Sequence, residues 1–128
     1  MKNVNYSNYQ NLKVWINAKE LTIIMYNICK TYPRNEEFRL TDQTLRSTSS
    51  IMANIAEGCG QGYIKKEITH LNTALGSANE SLNWIQLAYE LQYICNDDYL
   101  ELSYLFNEVI KMLHGLIKTK NNVSSKMS

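Results

Sequence analysis

Glu67 and His70 stand three residues apart, the spacing that puts a carboxylate and an imidazole on one helix face. In di-iron and di-manganese bundles such an E-x-x-H pair is half of a metal site. The other half is a second such pair with two more inward carboxylates. Here His114 has Lys111 three residues before it, so the constellation is incomplete. A metal-dependent bundle enzyme with Glu67 and His70 as ligands would need donors from elsewhere. Cys59 with His70 or His114 as its base would make a thiol nucleophile, but the sequence names no orienting group or oxyanion donor to go with it. "GCGQGYIKK", Gly58 to Lys66, offers glycine amides ahead of a helix, where a backbone phosphate can rest. It lacks the GxxxxGK[ST] order and follows a helix rather than a strand, so it is not a nucleotide loop. The residues thus assign no catalytic group, no metal and no cofactor, and a non-enzymatic protein is expected.

The composition fits a chain built to pack rather than to react. Its 128 residues suit one domain, 1–128, with a sizeable core. A single proline and five glycines against 45% hydrophobic residues favour long regular elements. Cys29, Cys59 and Cys95 are odd in number and not in CxxC spacing, which argues against a disulfide framework or a zinc ribbon. Reduced thiols, no secretory signal and no apolar run of membrane-spanning length together predict a cytoplasmic protein without a membrane partner.

The elements are read from apolar spacing. Val14, Ala18, Leu21, Met25, Ile28 and Tyr32 follow steps of four and three, and Pro33 stops the segment. A second stripe, Leu45, Thr48, Met52, Ile55 and Cys59, opens at Thr41 as N-cap. It ends at Gly58 and Gly60, either of which can take the left-handed C-terminal position. The third runs Ile64, Ile68, Leu71, Leu75, Ala78, Leu82, Ile85 and Tyr89. After the capping residues Asn96, Asp97 and Asp98, a fourth carries a doubled stripe from Leu102 to Ile117. Helices are predicted at about 12–32, 42–59, 64–91 and 98–118, with frayed ends at 1–10 and 119–128. Short connections make this an all-α, antiparallel, up-down-up-down four-helix bundle.

On the second helix Ser47, Ser50, Asn54 and Glu57 point away from Met52, Ile55 and Cys59, with Arg46 and Gln43 beside them. Serine and asparagine are mediocre helix formers, and a solvated face gains nothing from them. Short polar side chains suit a face that a second surface approaches. Gly76, in "ALGSANES", suggests close helix approach for the same reason, and Trp15, Ile16, Ile23 and Trp84 lie outside the seams. Self-association is the expected second surface. Arg46, Ser50, Asn54, Glu57 and Gly58 are its candidate residues.

"LTDQTLRSTSSIMANIAEGCGQG" followed by "HLNTALGSANESLNWIQLA" resembles the four-helix bundle proteins encoded within intervening sequences of 23S ribosomal RNA genes. The opening "LKVWINAKELTIIMY…TYP" and the closing "YLELSYLFNEVIKMLHGLI" are similar to the same family, so the resemblance covers roughly residues 11–118. Its most specific part is S-I-x-A-N-I-A-E-G, from Ser50 to Gly58. The resemblance implies a homopentameric helical barrel that binds RNA or another nucleic acid, with no assigned catalysis. A related branch, the accessory variability proteins of diversity-generating retroelements, implies a reverse transcriptase and RNA as partners; a ribosomal component is the other partner the resemblance implies.

The net charge is only +1, but its distribution is uneven. Antiparallel helices would gather Lys2, Lys13, Lys65, Lys66, Lys118, Lys120 and Lys126 at one end. The other end mixes Lys30, Arg34, Arg39 and Arg46 with Glu36, Glu37, Asp42, Glu90, Asp97, Asp98 and Glu101. A ring of like-oriented subunits would focus the positive field of the lysine end on a phosphate backbone. Lys65, Lys66, Lys118 and Lys120 are the candidate phosphate contacts. Lys118 and Lys120 also suit a helix C-terminus, whereas Lys65 and Lys66 sit near an N-terminus, where cations are unfavourable. Few aromatics accompany these lysines, so a base-stacking platform is not expected.

Overall fold

A computed structural model describes residues 8–127. Four helices carry the chain: α1 Lys13–Cys29, α2 Leu40–Cys59, α3 Ile64–Glu90 and α4 Asn96–Met127. Short 3-10 turns, Tyr9–Asn11 and Arg34–Glu36, precede α1 and α2. There is no strand among the described residues. Each helix packs against the next and α4 closes on α1, with the most extensive contact between α2 and α3. One core, from Val14 and Leu21 through Ile51, Ile55, Leu71 and Ile85 to Phe106 and Leu113, fills the space between them. No described helix is long and apolar enough to cross a membrane.

The helix ends differ from the predicted ones for local reasons. α1 stops at Cys29, and Tyr32 packs on Tyr93 from the connection, ring centroids 5.5 Å apart. Thr41 is not an N-cap: α2 starts at Leu40, and the Glu36 carboxylate accepts the Leu40 N–H at 3.4 Å from upstream. Neither Gly58 nor Gly60 is left-handed. Gly58 lies within α2 and Gly60 has φ −91°, while Gly62 carries the positive angle, +77°. The α3 terminus is closed by a Schellman arrangement, with Gln92 N–H on the Tyr89 carbonyl and Tyr93 N–H on the Ala88 carbonyl, both 2.9 Å. Gln92 takes the left-handed position, φ 64°, usually given to glycine.

The predicted frayed ends need correction where the described residues reach them. Tyr9–Asn11 form a turn, and Tyr9 meets Trp15 edge-on at 5.1 Å. The segment 119–127 continues α4 because it has a neighbour to lie on: Ile117 is buried, Lys120 pairs with Glu67 at 3.3 Å, and Ser124 and Met127 flank the α2–α3 connection. Lys118 and Lys120 are therefore inside a helix rather than at its end, and only Lys126 occupies the last turn. Residues 1–7 and 128, Lys2 among them, lie outside the described residues.

The buried direction of α2 is also rotated from the predicted one. Thr44, Ser47, Thr48, Ile51, Ile55 and Gly58 are buried, whereas Leu45, Met52 and Cys59 are half-buried at the flank. The reason is a hydroxyl seam against α3. Ser81 donates to the Ser77 carbonyl at 2.9 Å, lies 2.9 Å from the Ser47 hydroxyl and accepts from Thr48 at 3.3 Å. Paired hydroxyls can be buried at little net cost, and their small size lets two helices approach closely. On α3 the matching buried residues are Ala74, Ala78, Ser81 and Ala88, interleaved with Leu71 and Ile85.

Candidate nucleic-acid interface

The α2–α3 seam continues from Ser81 toward the lysine-bearing end. Ser77 donates to Ser50 at 2.9 Å, and the Asn54 amide nitrogen donates to the Ser50 carbonyl and hydroxyl at 2.9 and 3.0 Å. That orientation turns the Asn54 oxygen to His70 Nδ1 at 3.2 Å, so Nδ1 carries the proton and donates. At Gly58 the two helices come into close contact. A Cβ there would stand 2.8 Å from His70 Cβ and 3.3 Å from the Glu67 carbonyl. Gly76, expected to mark close approach, faces open space.

This placement corrects the expectation for the second surface. Ser50, Asn54 and Gly58 meet α3 of their own chain, and within the chain they are not free to face a partner. Arg46 and Glu57 remain exposed. The E-x-x-H residues have partners too: Glu67 holds Lys120 and His70 holds Asn54. Among the described residues no group of three or more His, Cys, Asp or Glu side chains is placed to hold a metal ion. Burial and the neighbouring Glu67 push the Cys59 thiol up, with Lys120 opposing, so Cys59 is a protonated thiol at neutral pH.

Beyond Gly58 the seam opens into the connection Gly60–Tyr63 and the first turn of α3. Lys65, Lys66 and Lys118 are exposed, and Lys126 joins them from the last turn of α4. Lys120 is only half-exposed and neutralised by Glu67. Of the predicted phosphate contacts, Lys65, Lys66 and Lys118 are therefore accessible cations, and Lys120 serves as an anchor for α4. A cleft of about 400 Å³ lies here, lined by Gly62, Tyr63, Ile64, Lys65, Ser124 and Met127. Tyr63 is 69% exposed, and Lys66 Nζ stands 5.8 Å from its ring centroid. One exposed aromatic thus accompanies the lysines, a residue that the sequence reading did not single out. The signal was a tyrosine outside any apolar stripe, wedged between a glycine turn and two lysines.

The family model described as 23S rRNA-intervening sequence protein matches residues 10–115. Among solved structures, the chain is similar to a protein of unknown function from the S23 ribosomal protein family of Bacteroides thetaiotaomicron. The two are 31% identical, with a TM-score of 0.77 over 82% of this chain and 95% of that one. No curated protein matches. The matched span takes in the first three helices and most of α4, including the Ser50–Gly58 seam and the Tyr63–Lys66 turn, and on that basis the chain belongs to the 23S rRNA-intervening sequence protein family.

Proposed function

We propose that the protein is a non-enzymatic, cytoplasmic, antiparallel four-helix bundle that forms a homopentameric ring and binds RNA or a ribonucleoprotein through its lysine-rich end. The observation that carries the reading is a cleft with Lys65 in its lining and Lys66 beside the Tyr63 ring, with Lys118 and Lys126 also exposed on α4 and Glu67 already neutralised by Lys120. Phosphate contacts of this kind need exposed cations without local acids, and the field of like-oriented copies would add. The antiparallel course is supported by the pairing across the seam. Partners of Ser47, Ser50 and Asn54 are Ser81, Ser77 and His70, falling on α3 as they rise on α2. Self-association is supported by exposed Ile23, Ile24 and Tyr26 on α1 and by Leu100 and Tyr104 on α4. Against catalysis stand a protonated Cys59 and an E-x-x-H pair engaged with other side chains.

The test is RNA binding by the purified oligomer across a salt series, beside a Lys65→Glu/Lys66→Glu variant. Binding that weakens steeply with salt and collapses in the variant supports the reading. No binding at low salt by an intact oligomer overturns it. Stoichiometric iron or manganese in the purified protein would overturn the non-enzymatic part.

A second reading, a protein-interaction scaffold such as an accessory to a reverse transcriptase, is favoured by Phe38. It is 85% exposed beside Arg39, Trp84 and Leu87, the residue types of an interface centre. That reading expects RNA binding only when the protein partner is present.

A further inference from the structure

The lysine end presents more than charge. Tyr63 is one of the most exposed large side chains of the molecule, yet it stands directly before the half-buried Ile64 at the start of a regular helix. Its position is fixed by the backbone. Tyr63 itself is extended, φ −117° and ψ 125°, and Gly62 before it takes φ +77°, which a residue with a Cβ adopts only under strain. Nothing lies within 4 Å of where a Cβ on Gly62 would be, so the approach past the turn to the ring is open. The cleft beside it has Ile64, Met127 and Lys65 in its lining. Lys66 stands over the ring. The turn therefore offers an aromatic face, an apolar recess and two cations within one nucleotide's reach. Of the carboxylates on the flanking turns, Glu57 is exposed in the last turn of α2 and Glu67 is bound to Lys120.

We propose that this turn is a stacking site for an unpaired nucleotide: Tyr63 takes the base, and Lys65 and Lys66 take the flanking phosphates, so that the protein selects single-stranded over double-stranded RNA. The inference rests on the RNA-binding reading above and adds to it the strandedness of the ligand. The chemistry distinguishes the two forms. A base inside a duplex has both faces covered, and the ring gains nothing from it. A duplex would use the lysines alone, through its backbone. A free base stacked on an aromatic ring contributes independently of sequence, and it adds no charge to the salt dependence.

The experiment measures binding of the intact oligomer to a short oligouridine and to a hairpin duplex RNA of equal length by fluorescence anisotropy over a salt series. Tyr63→Ala, Tyr63→Phe and Lys65→Glu/Lys66→Glu are compared, with folding checked by circular dichroism. Tighter binding to the single strand is expected, and Tyr63→Ala should lose about ten- to a hundred-fold on it. Tyr63→Phe should retain the affinity, the duplex should not distinguish Tyr63→Ala from the parent, and the salt slope should stay the same for both tyrosine variants. The lysine variant should lose affinity for both RNAs and flatten the slope. Equal binding of both RNAs with no effect of Tyr63→Ala overturns the stacking site and leaves the RNA reading standing. No binding of either RNA, with capture on anionic phosphatidylserine vesicles instead, overturns both and reassigns the patch to a lipid surface.

Discussion

At Gly58 a methyl group has nowhere to go. The atoms it would meet are His70 Cβ and the Glu67 carbonyl, both close to the α3 backbone, so neither can swing aside. Gly58→Ala should destabilise the fold by about 1–3 kcal/mol, measured as a lowered urea midpoint. Gly76→Ala should do the opposite. That position is exposed and open, so alanine there adds helix propensity without a clash and should stabilise by about 0.5–1 kcal/mol. The sequence alone suggested close approach at Gly76, because an interior helix glycine was visible there, whereas Gly58 looked like a terminator among the glycines that follow it. Which glycine is crowded depends on what α3 places opposite. His70 is twelve residues away along the chain, and no local spacing reveals it.

At the scale of elements, the α3 terminus shows a local rule broken. Gln92 holds the left-handed position of the Schellman turn, where a side chain costs about 1–2 kcal/mol and glycine adopts the angle freely. Gln92→Gly is expected to raise stability by about 0.5–1 kcal/mol once the greater freedom of the unfolded glycine is offset, read as an upward shift in thermal midpoint. The helices themselves were legible wherever apolar residues repeat, as in Leu71, Ala78 and Ile85 of α3 and Leu102, Val109 and Leu113 of α4. α2 was legible as a helix but misoriented, because Ser47, Thr48 and Gly58 carry no apolar signal and are buried through pairing and close fit with α3. The last turns of α4 were missed for a related reason. "TKNNVSSKMS" has no stripe of its own and is held by Lys120 on Glu67, a contact that crosses the fold. Among the candidate site residues, Lys65 and Lys66 were legible as charges, while Tyr63 was overlooked because exposure of an aromatic is a property of the folded surface.

For the molecule as a whole, the titrating groups of the core limit stability at high pH. Burial pushes the Cys29 thiol from 9.0 up to about 11, and burial together with Cys29 pushes the Tyr32 phenol up as well. Both are acids that the folded state keeps protonated after the unfolded chain has begun to lose its protons. The unfolded state then binds fewer protons, and unfolding free energy falls with rising pH. Stability should be insensitive to these groups below about pH 9 and decline from there to about pH 11, with Cys29 contributing roughly 2 kcal/mol of the loss. Urea titrations at intervals across that range test it, and Cys29→Ala should flatten the first part of the decline.

The unequal packing of the four helices has a consequence in time. α2 and α3 are joined by a tight turn, share a hydrogen-bonded seam and meet over most of their length, whereas α1 touches α4 only sparsely across a recess of about 260 Å³. The ring of helices therefore has a latch side. Opening there exposes the inner face of α1 while the α2–α3 pair stays shut, so amide protons of α1 should be replaced by deuterium through a smaller excursion than those of α2 and α3. Mass spectrometry of deuterated peptides would show two classes of exchange instead of one. A single class would mean that the bundle opens only as a unit.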